Sequence, residues 1–170
     1  MPINGGFCMI DDIELLKIIE KDPRISPADI AVQLAASEAE VEAEINRLKE
    51  EKILLGYTAE INWSKSYPEK VTALIEVRIT PQRDRGFDNI ATILSKYDKV
   101  TDCYLMSGAF DLLLIYNDDS LKNIAEFVYN KVATSEGVLS TATHFILKKY
   151  KSNGIFFEGE STDDRQAIVL

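Results

Sequence analysis

The sequence predicts an α+β protein in two parts: an N-terminal winged helix-turn-helix domain, then a ferredoxin-like β-α-β-β-α-β domain. Three observations carry this. Residues 26–52 spell two short helices around a tight Ala35-Ala36 break. Residues 71–150 alternate strand and helix patterns in the β-α-β-β-α-β order. Between them, ILLGYTAEIN changes from helical periodicity to an apolar run, a glycine and strand-like alternation.

The opening MPINGGFC has no periodicity and two adjacent glycines, so residues 1–9 read as a disordered leader, with Met9 an alternative natural start. Asp11-Asp12 caps a first helix, with apolar residues from Ile13 to Ile19, that runs to about Lys21. Asp22-Pro23 ends it. Ser26 before Pro27 is the next helix start, hydroxyl as N-cap and proline at the first helical position, with Ile30, Ala31 and Leu34 on one face. Ser37 with Glu40 forms a capping box that opens the third helix. There Val41, Ile45 and Leu48 recur at the spacing of a buried stripe. This domain, with its connecting strand, spans residues 10–62.

The second domain is expected over 63–157. Trp63 to Lys70, with Ser64, Ser66 and Pro68, reads as a connecting loop. A strand (VTALIEVRI) and a loop (TPQRDRG) lead to a helix that turns Phe87, Ile90, Ala91 and Leu94 to one face. VTDCYLM and FDLLLIY form two strands about a turn at Ser107-Gly108-Ala109. Ser120 caps a helix with Leu121, Ile124, Ala125, Val128 and Val132 inward, and Gly137 closes it. VLSTATHFILKKY is the last strand, and residues 158–170 form a polar tail ending AIVL. Two helices cover only one face of such a sheet, so apolar strands such as Leu112 to Tyr116 predict a second subunit on the other.

Composition narrows the function classes. Hydrophobic residues make up 46% and charged ones 28%, the balance of a folded soluble protein. No apolar run approaches the ~20 residues of a membrane span, and no signal segment opens the chain, so the expected location is cytoplasmic. Cys8 and Cys103 lie far apart without a C-x-x-C, which argues against a disulfide framework; Cys103 reads as a small core or interface residue. A single histidine, His144, excludes a multi-histidine metal site within one chain. There is no nucleophile–base motif, phosphate loop or metal cluster, so neither an enzyme nor a cofactor is expected.

A helix-turn-helix places its second helix in the DNA major groove. The candidate DNA-binding residues are Ser37, Ala39, Glu42, Ala43, Asn46, Arg47 and Lys49, with Asn46 and Arg47 as base readers and Lys49, Lys52 and Arg24 as supporting cations. The alternative for Asn46 and Arg47 is a solvated surface role, paired with Glu42, Glu50 or Glu51. Charge opposes the DNA reading. Outward positions of this helix include Glu38, Glu40, Glu42 and Glu44, and the net charge of −9 is concentrated here: residues 1–62 carry six Lys/Arg against thirteen Asp/Glu. Carboxylates repel phosphates, from which nucleic-acid affinity largely comes.

The turn Ser107-Gly108-Ala109-Phe110-Asp111 is the candidate small-molecule site. Glycine lets backbone N–H groups approach a ligand carboxylate, and Asp111 can pair with an α-ammonium. A plain hairpin turn with Asp111 capping backbone donors accounts for the same residues. Thr141, Thr143 and His144 can line this cleft or simply pack across strands. Glu76, Arg78, Arg83 and Arg85 are candidates for subunit salt bridges.

The stretches RISPADIAVQLAASEAEVEAEINRL, GYTAEIN, VTDCYLMSGAFDLLL and GVLSTATHFILKKYK together resemble the Lrp/AsnC (feast/famine) transcriptional regulators over residues 10–157. The resemblance implies a homodimer through the second domain, assembling to tetramers or octamers. It also implies a small effector, commonly an amino acid, between subunits near the glycine turn, where the residues read above as candidates are Ser107, Gly108, Ala109, Asp111, Thr141 and Thr143. Two departures stand out. Glu44 and Asn46 occupy a helix that usually carries several Arg or Lys, and Lys52 stands where glycine usually closes it. The expectation is a ligand-responsive DNA-binding regulator. The alternative is an effector-binding co-regulator of the same fold without autonomous DNA binding.

Overall fold

A computed structural model describes residues 10–65, 70–80 and 87–157. The leader, Cys8, Ser66, Pro68, Arg83, Arg85 and the tail from residue 158 lie outside the described residues. The chain divides into two compact units, a first ending at Ala59 and a second beginning at Glu60.

The first unit holds α1 (Asp12–Lys21), α2 (Pro27–Leu34) and α3 (Glu38–Glu50). Each start is built by a side chain that accepts from orphan N–H groups: Asp11 from Ile13 and Glu14, Ser26 from Asp29, Ser37 from Glu40. Leu15, Ile19, Ile30, Ala31, Val41, Ile45 and Leu48 form its core. Both turns that end a helix here through left-handed backbone do so without glycine, at Ala35 (φ 52°) and Lys52 (φ 57°). After α3 the Lys52 N–H donates to the Lys49 carbonyl and the Ile53 N–H to that of Leu48, the two bonds of a Schellman motif. Residues 55–62 correct one expectation. They form no strand, because extended backbone becomes a strand only by pairing, and no described segment pairs with them.

The second unit contains β1 (Val71–Ile79), α4 (Asp88–Leu94), β2 (Val100–Leu105), β3 (Leu112–Asp118), α5 (Leu121–Phe127) and β4 (Val138–Phe145). All pairings are antiparallel, in the order β2-β3-β1-β4, the ferredoxin-like arrangement. One face packs Ala73, Ile75, Val77, Leu112, Leu114 and Tyr116 against Ile90, Leu94, Ile124, Phe127 and Val132. The opposite face, from the same alternation, carries Leu74, Glu76, Leu113 and Ile115, all half-buried.

The helix after Ser120 departs from its expected face. Leu121 and Ala125 are exposed, and Phe127 is buried in their place. Phe127 stacks on Tyr116 (centroids 4.1 Å) and meets Tyr97 edge-on at 5.1 Å, which fixes the rotation of α5. From Val128 to Val132 the chain widens into a π-turn, with the Ala133 N–H bonded to the Val128 carbonyl. That wider step brings Val132 back to the core five residues after Phe127. Gly137 (φ 87°) therefore does not cap the helix; it turns the chain into β4. A last hairpin, β5 (Lys151–Ser152) with β6 (Ile155–Phe156), turns at Asn153-Gly154. Positive φ at both turn residues makes Asn-Gly the favoured pair there, a signal that a single last strand ending at Tyr150 leaves unused.

Candidate functional site

Helix α3 sorts its residues by direction. Val41, Ile45 and Leu48 are buried. Ala39, Glu42, Ala43, Asn46 and Lys49 are all exposed and, at spacings of three and four, share one outward stripe. Ser37 and Glu40 are occupied with each other: the Ser37 N–H donates to Glu40 Oε2 at 2.8 Å, and Ser37 Oγ accepts from the Glu40 N–H. The backbone bond from Ser37 is the main reason the Glu40 carboxyl titrates below its ordinary range.

Arg47 does not stand with the stripe. Its guanidinium donates to Glu44 Oε1 (2.7 Å from Nε), to Asp12 Oδ2 on α1 (2.6 Å) and to Glu51 Oε2 (2.7 Å). Hydrogen bonds to Glu44, then Asp12, then Glu51 push the Arg47 pKa further up, and the bond from Arg47 chiefly lowers that of Asp12. Glu51 at i+4 was visible in the sequence. Asp12, 35 residues away, was not. Glu44, expected to face outward, is instead turned against Arg47.

The loop between β2 and β3 is held by its backbone. The Met106 N–H donates to the Asp111 carbonyl at 2.8 Å, and the Asp111 N–H to that of Val77 at 3.0 Å. Asp111 Oδ2 accepts from the Ile79 N–H at 2.7 Å, and Arg78 Nε donates to the Ala109 carbonyl at 2.7 Å. Arg78, a sequence candidate only for a subunit salt bridge, is thus what secures this loop. Gly108 sits at φ 153° with open space around it. The position demands glycine for its backbone, while leaving room beside it.

Thr141 and Thr143 lie on β4 opposite Val77 and Ile75, on the helix-covered face, so β1 runs between them and the Asp111 strand. His144 alternates to the other face and meets Glu76 at 3.2 Å, so it does not share the threonines' cleft. A shallow cleft of about 460 Å³ opens between α4 and β2, with Ala91, Thr92, Lys96, Cys103 and Leu105 in its walls. Leu105 precedes Ser107 by two residues, so this cleft adjoins the loop. Among the described residues no group of His, Cys, Asp or Glu could hold a metal, and no helix is long and apolar enough to cross a membrane.

Residues 12–54 match the winged helix-turn-helix DNA-binding family, and residues 72–156 the Lrp/AsnC ligand binding domain. The HTH-type transcriptional regulator YugG of Bacillus subtilis is 39% identical, covering 93% of this chain and 95% of its own. The HTH-type transcriptional regulator LrpA of Pyrococcus horikoshii is 29% identical over 84% of this chain and 100% of its own. Among solved structures, the Neisseria meningitidis transcriptional regulator NMB0573 in complex with L-Met superposes with a TM-score of 0.65 at 22% identity, covering 83% and 90%. A helix-turn-helix joined to a ligand-binding domain defines a DNA-binding transcriptional regulator rather than an enzyme. The chain belongs to the Lrp/AsnC family of these regulators.

Proposed function

We propose that this regulator reads its operator with the outward stripe of α3 and responds to an amino acid bound beside the Ser107–Asp111 loop. It works as a cytoplasmic homodimer that assembles further, to tetramers or octamers. The exposed stripe is the observation that carries the DNA reading. Asn46 suits adenine, Glu42 accepts from the amino group of cytosine, and Ala39 and Ala43 suit thymine methyls. Lys49 near the helix end faces the backbone phosphates. Ser37, whose N–H and hydroxyl both donate to Glu40, sets the helix start and reaches a phosphate only if that capping box opens. Arg47 pairs with Asp12 on α1.

For the effector, Ser107, Gly108 and Ala109 supply approachable backbone, Asp111 a carboxylate for an ammonium, and the adjoining cleft room for a side chain. Thr141 and Thr143 lie on β4, at the opposite edge of the sheet from this cleft, and are not part of the site within one subunit. The L-Met complex of the Neisseria protein supports an amino acid as the class of ligand. The half-buried face of Leu74, Leu113 and Ile115 supports a second copy packed on the sheet. Ligand between subunits then biases one arrangement of helix-turn-helix pairs over another, and so changes operator affinity.

The test is retention of fragmented genomic DNA, including the region upstream of the protein's own gene, across a salt series. Retention of a few fragments that weakens with salt is expected. In Asn46→Ala about 1–3 kcal/mol of discrimination disappears at the position Asn46 reads. One observation favours a second reading: the only arginine on α3 is taken up by three carboxylates. If the folded oligomer retains nothing even at low salt, the protein is an effector-binding co-regulator. An amino-acid panel that leaves both melting temperature and oligomer size unchanged would remove the effector proposal.

A further inference from the structure

The longest stretch of the sequence without Asp or Glu is residues 137–157, in a chain that carries 28 of them. It includes Lys148, Lys149 and Lys151. In the structure each of these holds its ammonium over an aromatic face. Lys151 Nζ lies 4.5 Å from the Phe156 centroid, Lys148 Nζ 4.8 Å from Tyr150, and Lys149 Nζ 6.0 Å from Phe157. All three lysines are exposed, and Tyr150 is 70% exposed. The Asn153-Gly154 turn fixes the hairpin. Its edge is tied to the start of the unit by the Asn62 Nδ2 bond to the Phe157 carbonyl (3.1 Å) and the Asn153 Nδ2 bond to Glu60 Oε2 (3.0 Å).

Such an array concentrates positive charge locally in a protein of net charge −9. Beyond a Debye length of about 8–10 Å the acidic remainder is screened, so the cluster acts on what touches it. The first domain holds one such pair, Lys49 Nζ 5.7 Å from the Tyr57 centroid, within a strongly acidic unit. Residues 1–62 carry thirteen acids against six bases, and its Arg47 is committed to carboxylates. Lys49 is the lysine that α3 presents on its outward stripe. DNA affinity depends on cations at phosphates, so cations outside α3 would add to what Lys49, Lys52 and Arg24 supply.

We propose that the Lys148–Lys151 segment and its hairpin form a second DNA-contacting surface, one that neutralises backbone phosphates without reading sequence. This rests on the DNA-binding reading of the first domain and adds a separate element to it. Lysines pre-set over aromatic rings lose less freedom on engaging a phosphate than lysines in open solvent, and the Tyr150 hydroxyl is a further phosphate donor.

The experiment compares the full chain with Lys149→Gln/Lys151→Gln on two duplexes of equal length, one from the protein's upstream region and one of arbitrary sequence, across a salt series. Light scattering on each protein accompanies it. The double variant is expected to weaken binding to both duplexes alike. It should also reduce the slope of log K against log salt by about one for each phosphate that the lysines neutralise. Asn46→Ala should instead weaken the upstream duplex selectively and leave the slope unchanged. If wild type binds and the double variant matches it in affinity and slope, the second surface does not exist. If the variant changes particle mass while the surviving species binds DNA as wild type does, the lysines serve contact between copies and the proposal is overturned. If wild type binds neither duplex, the DNA-binding reading fails and takes this inference with it.

Discussion

Two charge centres, one in each unit, are built from the same materials in opposite ways. At Asp118 one carboxylate gathers donors in the interior: Lys99 Nζ at 2.7 Å, the Asp119 N–H at 2.7 Å, Asn123 Nδ2 at 2.9 Å and the Tyr116 hydroxyl at 3.3 Å. At Arg47 one guanidinium gathers three carboxylates near the surface. The Asp118 side chain is 1% exposed and that of Arg47 39%. A buried ion must be fully satisfied or it destabilises the fold, whereas an exposed one competes with water and salt and adds little. The first centre is therefore a stability element of the ligand-binding unit. The second links the surfaces of α3 and α1, while the buried Val41, Ile45 and Leu48 place the helix.

Acid is the sharpest way to break this comparison. Burial pushes the Asp118 carboxyl up, but Lys99, Asn123 and the Asp119 N–H outweigh it and bring the pKa from 3.8 down to about 2. A folded-state pKa below the unfolded one means that the unfolded chain binds more protons in between. The contribution is complete above about pH 4, and it is lost as pH falls through about 2. Asp118→Asn should remove about 2 kcal/mol near neutral pH, since each tenfold change in proton affinity is worth about 1.4 kcal/mol. It should also flatten stability against pH between about 4 and 2, read by urea unfolding at each pH. An unchanged acid slope in the variant would show that Asp118 contributes nothing there.

Arg47→Ala is the matching change in the other unit, with a smaller expected effect. It leaves Asp12, Glu44 and Glu51 without their shared cation. The melting temperature of the first unit should fall at low ionic strength and recover in high salt, because exposed charges are screened. The deficit in operator affinity relative to wild type should shrink with salt in the same way if Arg47 positions α3. A base-reading role would behave differently: affinity would drop for one operator position at every salt concentration, with melting unchanged.

The two centres were not equally legible in the sequence. Helix starts were, because Asp11, Ser26, Ser37 and Ser120 cap N–H groups within three residues of themselves. The core stripe Val41, Ile45, Leu48 and the β-α-β-β-α-β order follow from periodicity alone. Partners far apart in the chain did not show. Asp12 reaches Arg47, Asp111 reaches the Ile79 N–H and Arg78 reaches the Ala109 carbonyl, across 31 to 35 residues. The π-turn at Val128 was hidden for another reason. It follows directly after Phe127, whose stacking on Tyr116 is a tertiary contact that the local 3.6 period does not show. The GYTAEIN alternation misled because a strand pattern states a capacity for pairing and names no partner.

Lys52 offers the smallest change and the cleanest separation of strain from charge. Its backbone lies at φ 57°, in the glycine-favouring position of the Schellman turn that closes α3. Left-handed backbone costs an L-residue roughly 1–2 kcal/mol. Glycine relieves this but returns about 0.4–1 kcal/mol of freedom to the unfolded chain. Lys52→Gly should therefore stabilise the first unit by about 0.5–1 kcal/mol, measured by thermal or urea unfolding. Ala35→Gly relieves the same conformation at φ 52° without altering charge, and should stabilise by a similar amount. Operator binding then separates the pair. If Lys52 touches a phosphate, Lys52→Gly lowers the salt slope by about one while Ala35→Gly leaves it unchanged. Equal slopes in both variants would make Lys52 a strained turn residue with no part in DNA binding. The cations offsetting the acidic recognition helix would then have to come from Lys49 and from outside α3.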